Sequence, residues 1–430
     1  MKLSDLVDFN PKRPLKKGVN ASFVEMAYLP ENERDIKKIG KKTFTGGGSK
    51  FANGDTLFAR ITPCLENGKT SLVSNLKDDE IAFGSTEFIV LSAKAPKYDS
   101  NYIYYLTRLP EFRLFAQSRM EGTSGRQRVS WQALAEYEYT FPDRALRKYA
   151  GDFLKNLDDK IQLNYQINET LEKMAQAMFK SWFINFEPVK AKIAVIEAGG
   201  SLEDSTLAAM ASISGKDIKS LATLEHEQPR IYAGLRIAAE LFPSEMQESG
   251  VGDIPIGWDV VRLSDITNLK YGKALKKTER TIGSYPVYGS GGITGYHNNY
   301  LVEGPGIIIG RKGSIGTIYW EDDNFFPIDT VYYVENNKNL PLCYLYYLLQ
   351  TLNLPNMNTD AAIPGLNREN VYRLDVVRPA QPLIDYFAKY VATFKANVQS
   401  NNKSNKILMS VRDALLPKLL SGDIPLKRVR

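Results

Sequence analysis

The chain has 430 residues, 43% hydrophobic and 24% charged, with 55 Lys plus Arg against 49 Asp plus Glu and a net charge of +6. That composition belongs to a folded globular protein long enough for two or three cores, and it excludes disorder and collagen-like repetition. No apolar run approaches a membrane span, "GIIIG" at 306–310 being typical. The opening "MKLSDLVDFN" is too polar for a signal peptide, and two cysteines, Cys64 and Cys343, are too few for a disulfide framework or a metal site, so the cytoplasm is the expected compartment.

Residues 1–142 read as short strands and turns with some helix, "EFIVLSA" (87–93) being strand-like. The basic clusters "PKRPLKKG" (11–18) and "KKIGKK" (37–42) read as solvated loop charge, a mild lean towards polyanions. From 143 to 186 a long helix is expected, with Asp143 as its N-cap. Its apolar positions Leu146, Phe153, Leu157, Ile167, Leu171, Met174, Met178 and Trp182 advance mostly by threes and fours, a coiled-coil seam. Residues 187–252 read as a connector with one or two short helices. Residues 253–379 return to strands and turns, with "TVYYVEN" (330–336) strand-like and "YGSGGITGYHNN" (288–299) and "GRKGSIGT" (310–317) as Gly-rich turns. A second long helix follows over 380–421, with Pro382 in its first turn and Leu383, Phe387, Val391, Phe394, Val398, Leu408, Val411, Leu415 and Leu419 on its stripe, before a tail at 422–430.

These segments repeat. "LSDL" (3–6) returns as "LSDI" (263–266), "GDTLFAR" (54–60) as "GPGIIIGR" (304–311), and "YIYYL" (102–106) as "YLYYL" (344–348). From Leu146/Leu383 to Trp182/Leu419 ten pairs hold one offset of 237 without a gap, among them Tyr149/Tyr386, Phe153/Tyr390 and Asn164/Asn401. The chain is a tandem duplication. The heads tolerate insertions in their loops. The helices tolerate none, because one added residue rotates all that follows by about 100°. Each helix is about 57 Å long at 1.5 Å per residue, and a pseudo-two-fold relation would pair the two antiparallel. The seam is expected to run through Leu157, Asn164, Leu171 and Met178 against Phe394, Asn401, Leu408 and Leu415, its central asparagines fixing register or marking a wet break.

Catalytic motifs are scarce. "GSGGITG" has the spacing GxGxxxG without a bracketing strand and helix, and no GxxxxGK[ST] occurs. "PD" (142–143) with "DDK" (158–160) meets only the loosest nuclease pattern, and residues two apart on a helix point to different sides. His226 and His297 match no metal-ligand spacing. A self-sufficient DNA methyltransferase or nuclease with unrecognised motifs, and a coiled-coil protein-interaction scaffold, remain open at this point.

Two variable regions, each followed by a helix of fixed length, resemble the specificity subunit of Type I restriction–modification systems. The phrases "MAQAMFKSWFINFEPV" (174–189), "GDIPIGWDVVRLSDI" (252–266), "YPVYGSGGITGYHNNY" (285–300), "IPGLNREN" (363–370) and "LLPKLLSGDI" (415–424) carry the resemblance over almost the whole chain, the stretch 190–245 being longer than such a connector should be. It implies an α+β architecture: two pseudo-symmetric α/β target-recognition domains separated by two long antiparallel helices in a coiled coil. It further implies a non-catalytic chain without a cofactor or metal of its own, reading a bipartite double-stranded DNA target. Two adenine methyltransferase subunits holding S-adenosylmethionine and two motor-nuclease subunits would be its partners. Expected DNA contacts are Arg60, Thr62, Arg126 and Arg128 in the first head, and Ser290, Tyr296, His297, Arg311, Lys312, Ser314, Asn367 and Arg368 in the second. Arginine can grip guanine bidentately, whereas Lys312 suits phosphate.

Overall fold

The computed structural model describes residues 1–123, 125–335, 340–358 and 365–424. Ser124, the first two residues of "IPGLNREN" and the end of the tail lie outside them. Chain contacts divide the protein into two units, Met1–Gln166 with the chain from Asn401 onward, and Ile167–Ser400. Each unit therefore joins one head to one part of each long helix.

The first head contains β1 (Val7–Phe9), β2 (Asn20–Val24), β3 (Gly40–Thr43), β4 (Ser49–Phe51), β5 (Thr56–Ala59), β6 (Thr70–Leu72), β7 (Ala82–Gly84) and β8 (Phe88–Ala93). After these come α1 (Pro96–Leu106), α2 (Pro110–Ser118), the short pair β9 (Met120–Glu121) and β10 (Arg128–Val129), α3 (Trp131–Ala135) and the long α4 (Arg144–Phe179). Two four-stranded sheets form, ordered β1-β8-β5-β6 and β3-β2-β7-β4. β5 and β8 are buried along almost their whole length, which is why they read as apolar runs rather than alternating strands.

Four helices fill the connector: α5 (Glu187–Glu197), α6 (Leu202–Ser214), α7 (Ile218–Glu227) and α8 (Pro229–Glu240). The sequence suggested one or two. Ser201 and Asp217 cap α6 and α7 with their side-chain oxygens, and Gly215 closes α6 at a positive φ of 66°. Ala209, Met210, Leu221, Leu224 and Ala239 give these helices a small core of their own.

The second head contains β11 (Met246–Gln247), β12 (Ile254–Pro255), β13 (Asp259–Arg262), α9 (Leu263–Ile266), β14 (Asn268–Tyr271), β15 (Tyr285–Gly289), β16 (Gly292–His297), β17 (Gly306–Gly310), β18 (Ile318–Glu321), β19 (Phe326–Pro327) and β20 (Val331–Glu335). It closes with α10 (Leu342–Thr351), α11 (Arg368–Tyr372), β21 (Asp375–Arg378) and the long α12 (Gln381–Ser421). Its main sheet runs β14-β20-β17-β18, the first head's β1-β8-β5-β6 again. β15 pairs antiparallel with β16 and parallel with β19, as β2 does with β3 and β7. The duplication read from the sequence is thus a duplicated sheet topology, and the "GSGG" turn is the tip of the β15–β16 hairpin.

Asp143 caps α4, its carboxylate accepting from the main-chain N–H groups of Ala145 and Leu146 at 2.8 and 2.9 Å. Within the first unit α4 runs antiparallel to α12: Asp158 meets Arg412 at 2.7 Å, and Asn164 donates to Asn405 at 2.7 Å. Within the second unit the sense is the same, Glu172 meeting Lys395 at 3.2 Å and Phe179 meeting Phe387 at 5.6 Å between ring centres. The face in contact differs from the expected one by about one residue. Leu154, Asp158, Ile161, Asn164, Ala175 and Phe179 are buried on α4, and Val391, Phe394, Asn405, Arg412, Leu416 and Leu420 on α12. Leu157, Leu171, Met178, Leu408 and Leu415 are only half-buried, Asn401 is not the partner of Asn164, and Ile167, Met174 and Val411 are exposed. Each long helix packs against its head as well as against its partner, so the buried stripe rotates towards the head and takes in polar positions.

The Tyr pentads make that second contact. Tyr105 donates its hydroxyl to Asp158 at 2.6 Å, and Tyr347, in the repeated pentad, donates to Glu172 at 3.0 Å. Tyr102 donates to the Leu420 carbonyl at 2.7 Å, using one of the acceptors a helix end leaves open. Gly151 lets α1 approach α4 directly, since a Cβ there would stand 2.7 Å from the Tyr102 nitrogen. Lys395 lies over Trp320, Tyr346 and Tyr347 at 4.8, 4.4 and 5.4 Å, a cation shielded by ring faces.

Burial pushes the Tyr104 phenol up to about 12, and raises Tyr105, Tyr344 and Tyr347 as well. Below about pH 10 these groups are neutral in the folded and unfolded chain alike, and their packing is fully stabilising. As the pH rises towards the folded value the unfolded chain loses protons first, so stability is lost. Urea unfolding followed from about pH 9 to 12 should fall over that window, with part of the tyrosinate absorbance appearing only as helix is lost. Complete ionisation of all 24 tyrosines ahead of any loss of helix would contradict it.

Candidate nucleic-acid interface

Arg60 and Arg311 occupy the same place in the two copies, one residue beyond β5 and β17. The Arg60 carbonyl accepts from Val129 N–H at 3.0 Å, and the Arg311 carbonyl accepts from Leu366 N–H at 2.9 Å. What surrounds each guanidinium is different.

In the second head Arg311 donates Nε and Nη2 to the Asp329 carbonyl at 3.1 and 2.7 Å. A guanidinium carries five N–H donors, so these two bonds leave three for other partners. Its plane lies 5.3 Å from the Tyr271 ring centre, and Arg368 lies 5.0 Å from the same ring. The half-exposed Tyr271 thus carries two arginines, and the buried Arg368 Nε makes no hydrogen bond among the described residues, standing 3.5 Å from the Glu369 carboxylate. Tyr332 lies beneath; burial and then the Tyr271 hydroxyl raise its phenol to about 12, with Arg311 and Arg368 opposing. Lys312 and Ser314 are exposed on the neighbouring turn, and Ser290 faces that turn, its Oγ 3.4 Å from where a Gly313 side chain would begin. Tyr296 is exposed at the end of the β15–β16 hairpin, where His297 Nδ1 accepts the Thr281 N–H at 3.0 Å. Asn367 is a helix cap, its side chain accepting from Glu369 and Asn370 N–H, and Ser130 does the same for α3. Capping accounts for Asn367 without a ligand.

In the first head Glu87 takes the place of carbonyl anchoring. It holds Arg128 bidentately, with Nε and Nη2 at 3.0 and 2.8 Å, and stands 3.9 Å from Arg60 Nε. Arg128 also donates Nη1 to the Arg126 carbonyl at 3.1 Å, so most of its donors brace the turn that carries the exposed Arg126. The Thr62 hydroxyl donates to Glu66 at 3.3 Å, and its main-chain N–H donates to the Gln127 carbonyl at 3.1 Å. Beside Arg60 opens a groove lined by Lys12, Arg13, Lys50, Asn10, Ser49 and Thr86. Arg13 is anchored there on Asp55 at 2.8 Å, and burial lifts the Asp55 carboxyl above its usual range against the pull of Arg13.

Sequence reasoning named both arginines at the strand ends but missed Tyr271, Glu87, Lys12 and Lys50. Lys12 lay in a basic cluster read as loop charge. The repeat did not single out Tyr271, since the offset that relates "LSDL" to "LSDI" aligns it with Pro11. Among the described residues no group of three or more His, Cys, Asp or Glu gathers as a metal site, and no helix is long and apolar enough to cross a membrane.

Duplicated heads bearing an arginine at the same strand end, on paired helices, define a two-headed recognition protein. Residues 255–381 match the family described as the Type I restriction modification DNA specificity domain. The chain is 30% identical over 435 residues to the Type I restriction enzyme HindI specificity subunit of Haemophilus influenzae, covering 91% of this chain and 90% of that one. It is 21% identical to the MjaIX specificity subunit of Methanocaldococcus jannaschii, over 76% of this chain and 69% of that one. The crystal structure of a Type I restriction–modification S subunit from M. genitalium superposes with a TM-score of 0.51 at 18% identity, covering 98% of this chain and 95% of that one, and has the same fold. The chain belongs to the specificity-subunit family of Type I restriction–modification systems.

Proposed function

We propose that this chain is the non-catalytic DNA-reading component of a cytoplasmic Type I restriction–modification assembly. Each head reads one half of a split duplex target, and the paired helices set the gap between the halves. Exposed helix faces dock two adenine methyltransferase subunits, which bring S-adenosylmethionine, and two motor-nuclease subunits complete the restricting assembly. The observation that carries this reading is the pair Arg60 and Arg311, repeated at one strand end but set among unlike neighbours. Repeated position suits a common geometry on DNA, and unlike neighbours suit different half-sites. Lys12, Lys50, Arg126 and Lys312 supply positive charge for phosphates around each reader.

The test is binding by the methyltransferase-loaded complex to a panel of duplexes across a salt series. Sequence-specific binding that weakens linearly with log salt is expected. Equal affinity for every duplex, or methylation by the isolated chain, would refute the assignment.

A further inference from the structure

The first unit holds a cavity that neither the helix pairing nor the strand-end arginines account for. It measures 290 Å³ and is lined from α1, α2, α4 and α12, with Tyr104, Arg108, Arg113, Asp158, Arg412 and Asp413 on its wall. Both carboxylates are taken, since Arg412 donates to Asp158 at 2.7 Å and to Asp413 at 2.9 Å. Arg108 and Arg113 have no acid partner among the described residues. Arg108 donates to the main-chain carbonyls of Glu31 and Gly68 at 2.7 and 3.3 Å, and Arg113 to that of Gly68 at 3.5 Å. The Arg113 Nε is buried and makes no hydrogen bond among the described residues. Burial, and then the like charge of Arg108, hold this guanidinium below its ordinary value. Gly68 leaves room for it, as a Cβ there would stand 2.0 Å from Arg113 Nη1. The cluster is not part of the duplicated scaffold. The offset of the Tyr pentads carries Arg108 to Gln350, and the offset of 237 carries Arg412 back to Ala175. In the second copy Lys395 lies against the matching rings, Tyr346 and Tyr347, and is paired with Glu172 at 3.2 Å.

We infer that this cavity binds a small phosphoryl dianion, either free phosphate or the phosphoryl group of a small ester, between Arg108 and Arg113. Two guanidiniums without counter-charge call for a ligand with two negative charges, and a phosphoryl group carries close to that at neutral pH. The planar forks of arginine match its oxygens two at a time. At 290 Å³ the cavity lies at the small end of ligand pockets, roomy enough for phosphate with a short ester arm and far too small for a duplex. A bound dianion relieves the repulsion between the two arginines, so it stabilises the folded first unit.

The test adds inorganic phosphate or glycerol phosphate to the full chain, with chloride at equal ionic strength as the control. Calorimetry should read one saturable site per chain. At about ten times Kd the unfolding midpoint should rise by about 3–6 °C. Arg113→Met, which keeps the stem and loses the fork, should weaken binding about tenfold or more. In chloride it should melt no lower than the wild type, because it removes a buried charge that has no partner, and this separates lost binding from lost folding. Arg108→Met, at the half-buried neighbour, gives a second reading and should weaken binding likewise. Glycerol phosphate binding as tightly as phosphate points to an ester and phosphate alone to the free anion, and both support the site. Duplex binding by the methyltransferase-loaded complex should be unchanged in either variant. No saturable binding up to about 10 mM phosphate, undiminished binding by both variants, or a loss of duplex affinity in their place would overturn the inference.

Discussion

Replacing Arg311 by alanine is expected to cost the methyltransferase-loaded complex roughly 1–3 kcal/mol of discrimination at one half of its target and little at the other. The residue is preset for reading. Its Nε and Nη2 are held by the Asp329 carbonyl and its guanidinium lies over Tyr271, so little freedom is lost on binding, and two bonds leave three of its five donors for a ligand. Lysine should not restore function, since it lacks the planar fork. Competition between duplexes altered in either half-site measures the effect. Uniform weakening of all duplexes, with a salt slope reduced by about one, would make Arg311 a phosphate contact instead. No change at all would remove it from the interface.

Removing the Arg412 side chain should destabilise the fold by about 3–5 kcal/mol. Asp158 and Arg412 are both buried, 5% and 8% exposed, and Arg412→Ala would leave the carboxylate with only the Tyr105 hydroxyl. Asp158→Ala should cost less, because Arg412 keeps Asp413 at 2.9 Å on the exposed side. Changing both to leucine and methionine should recover much of the loss, since an apolar pair carries no desolvation cost. A double-mutant cycle in urea reads the coupling, and additive effects would show that the pair does not act as a pair.

The architecture was legible because a duplication with a gapless stretch is hard to produce by anything but helices of equal length. Long caps and stripes survive without tertiary context, and Asp143 capped where expected. The contact face was less legible. Counting apolar residues selected Phe153 and Leu157 over Leu154 and Asp158, because a buried carboxylate paired with a partner more than two hundred residues away looks like a surface charge. The connector was under-read for another reason. Its helices are short and Ala-rich, and their core is built from residues such as Ala209 and Ala239 that carry little hydrophobic signal. In the heads, Arg60 and Arg311 stood out through repetition, whereas Tyr271 and Glu87 matter through what they hold, which only coordinates reveal.

At two ion pairs between α4 and α12, the buried Asp158–Arg412 and the half-buried Glu172–Lys395, the acid comes from α4 and the base from α12. The constant offset makes Lys395 the counterpart of Asp158. Were two α4 helices to associate in the same register, Glu172 would confront another Asp158; two α12 helices would bring Lys395 against Arg412. Either match strands like charges in a water-poor contact, a penalty of several kcal/mol. The two halves of this gene have therefore drifted into lock and key, and a shuffled chain carrying the same half twice would repel itself at the joint where the original holds fast.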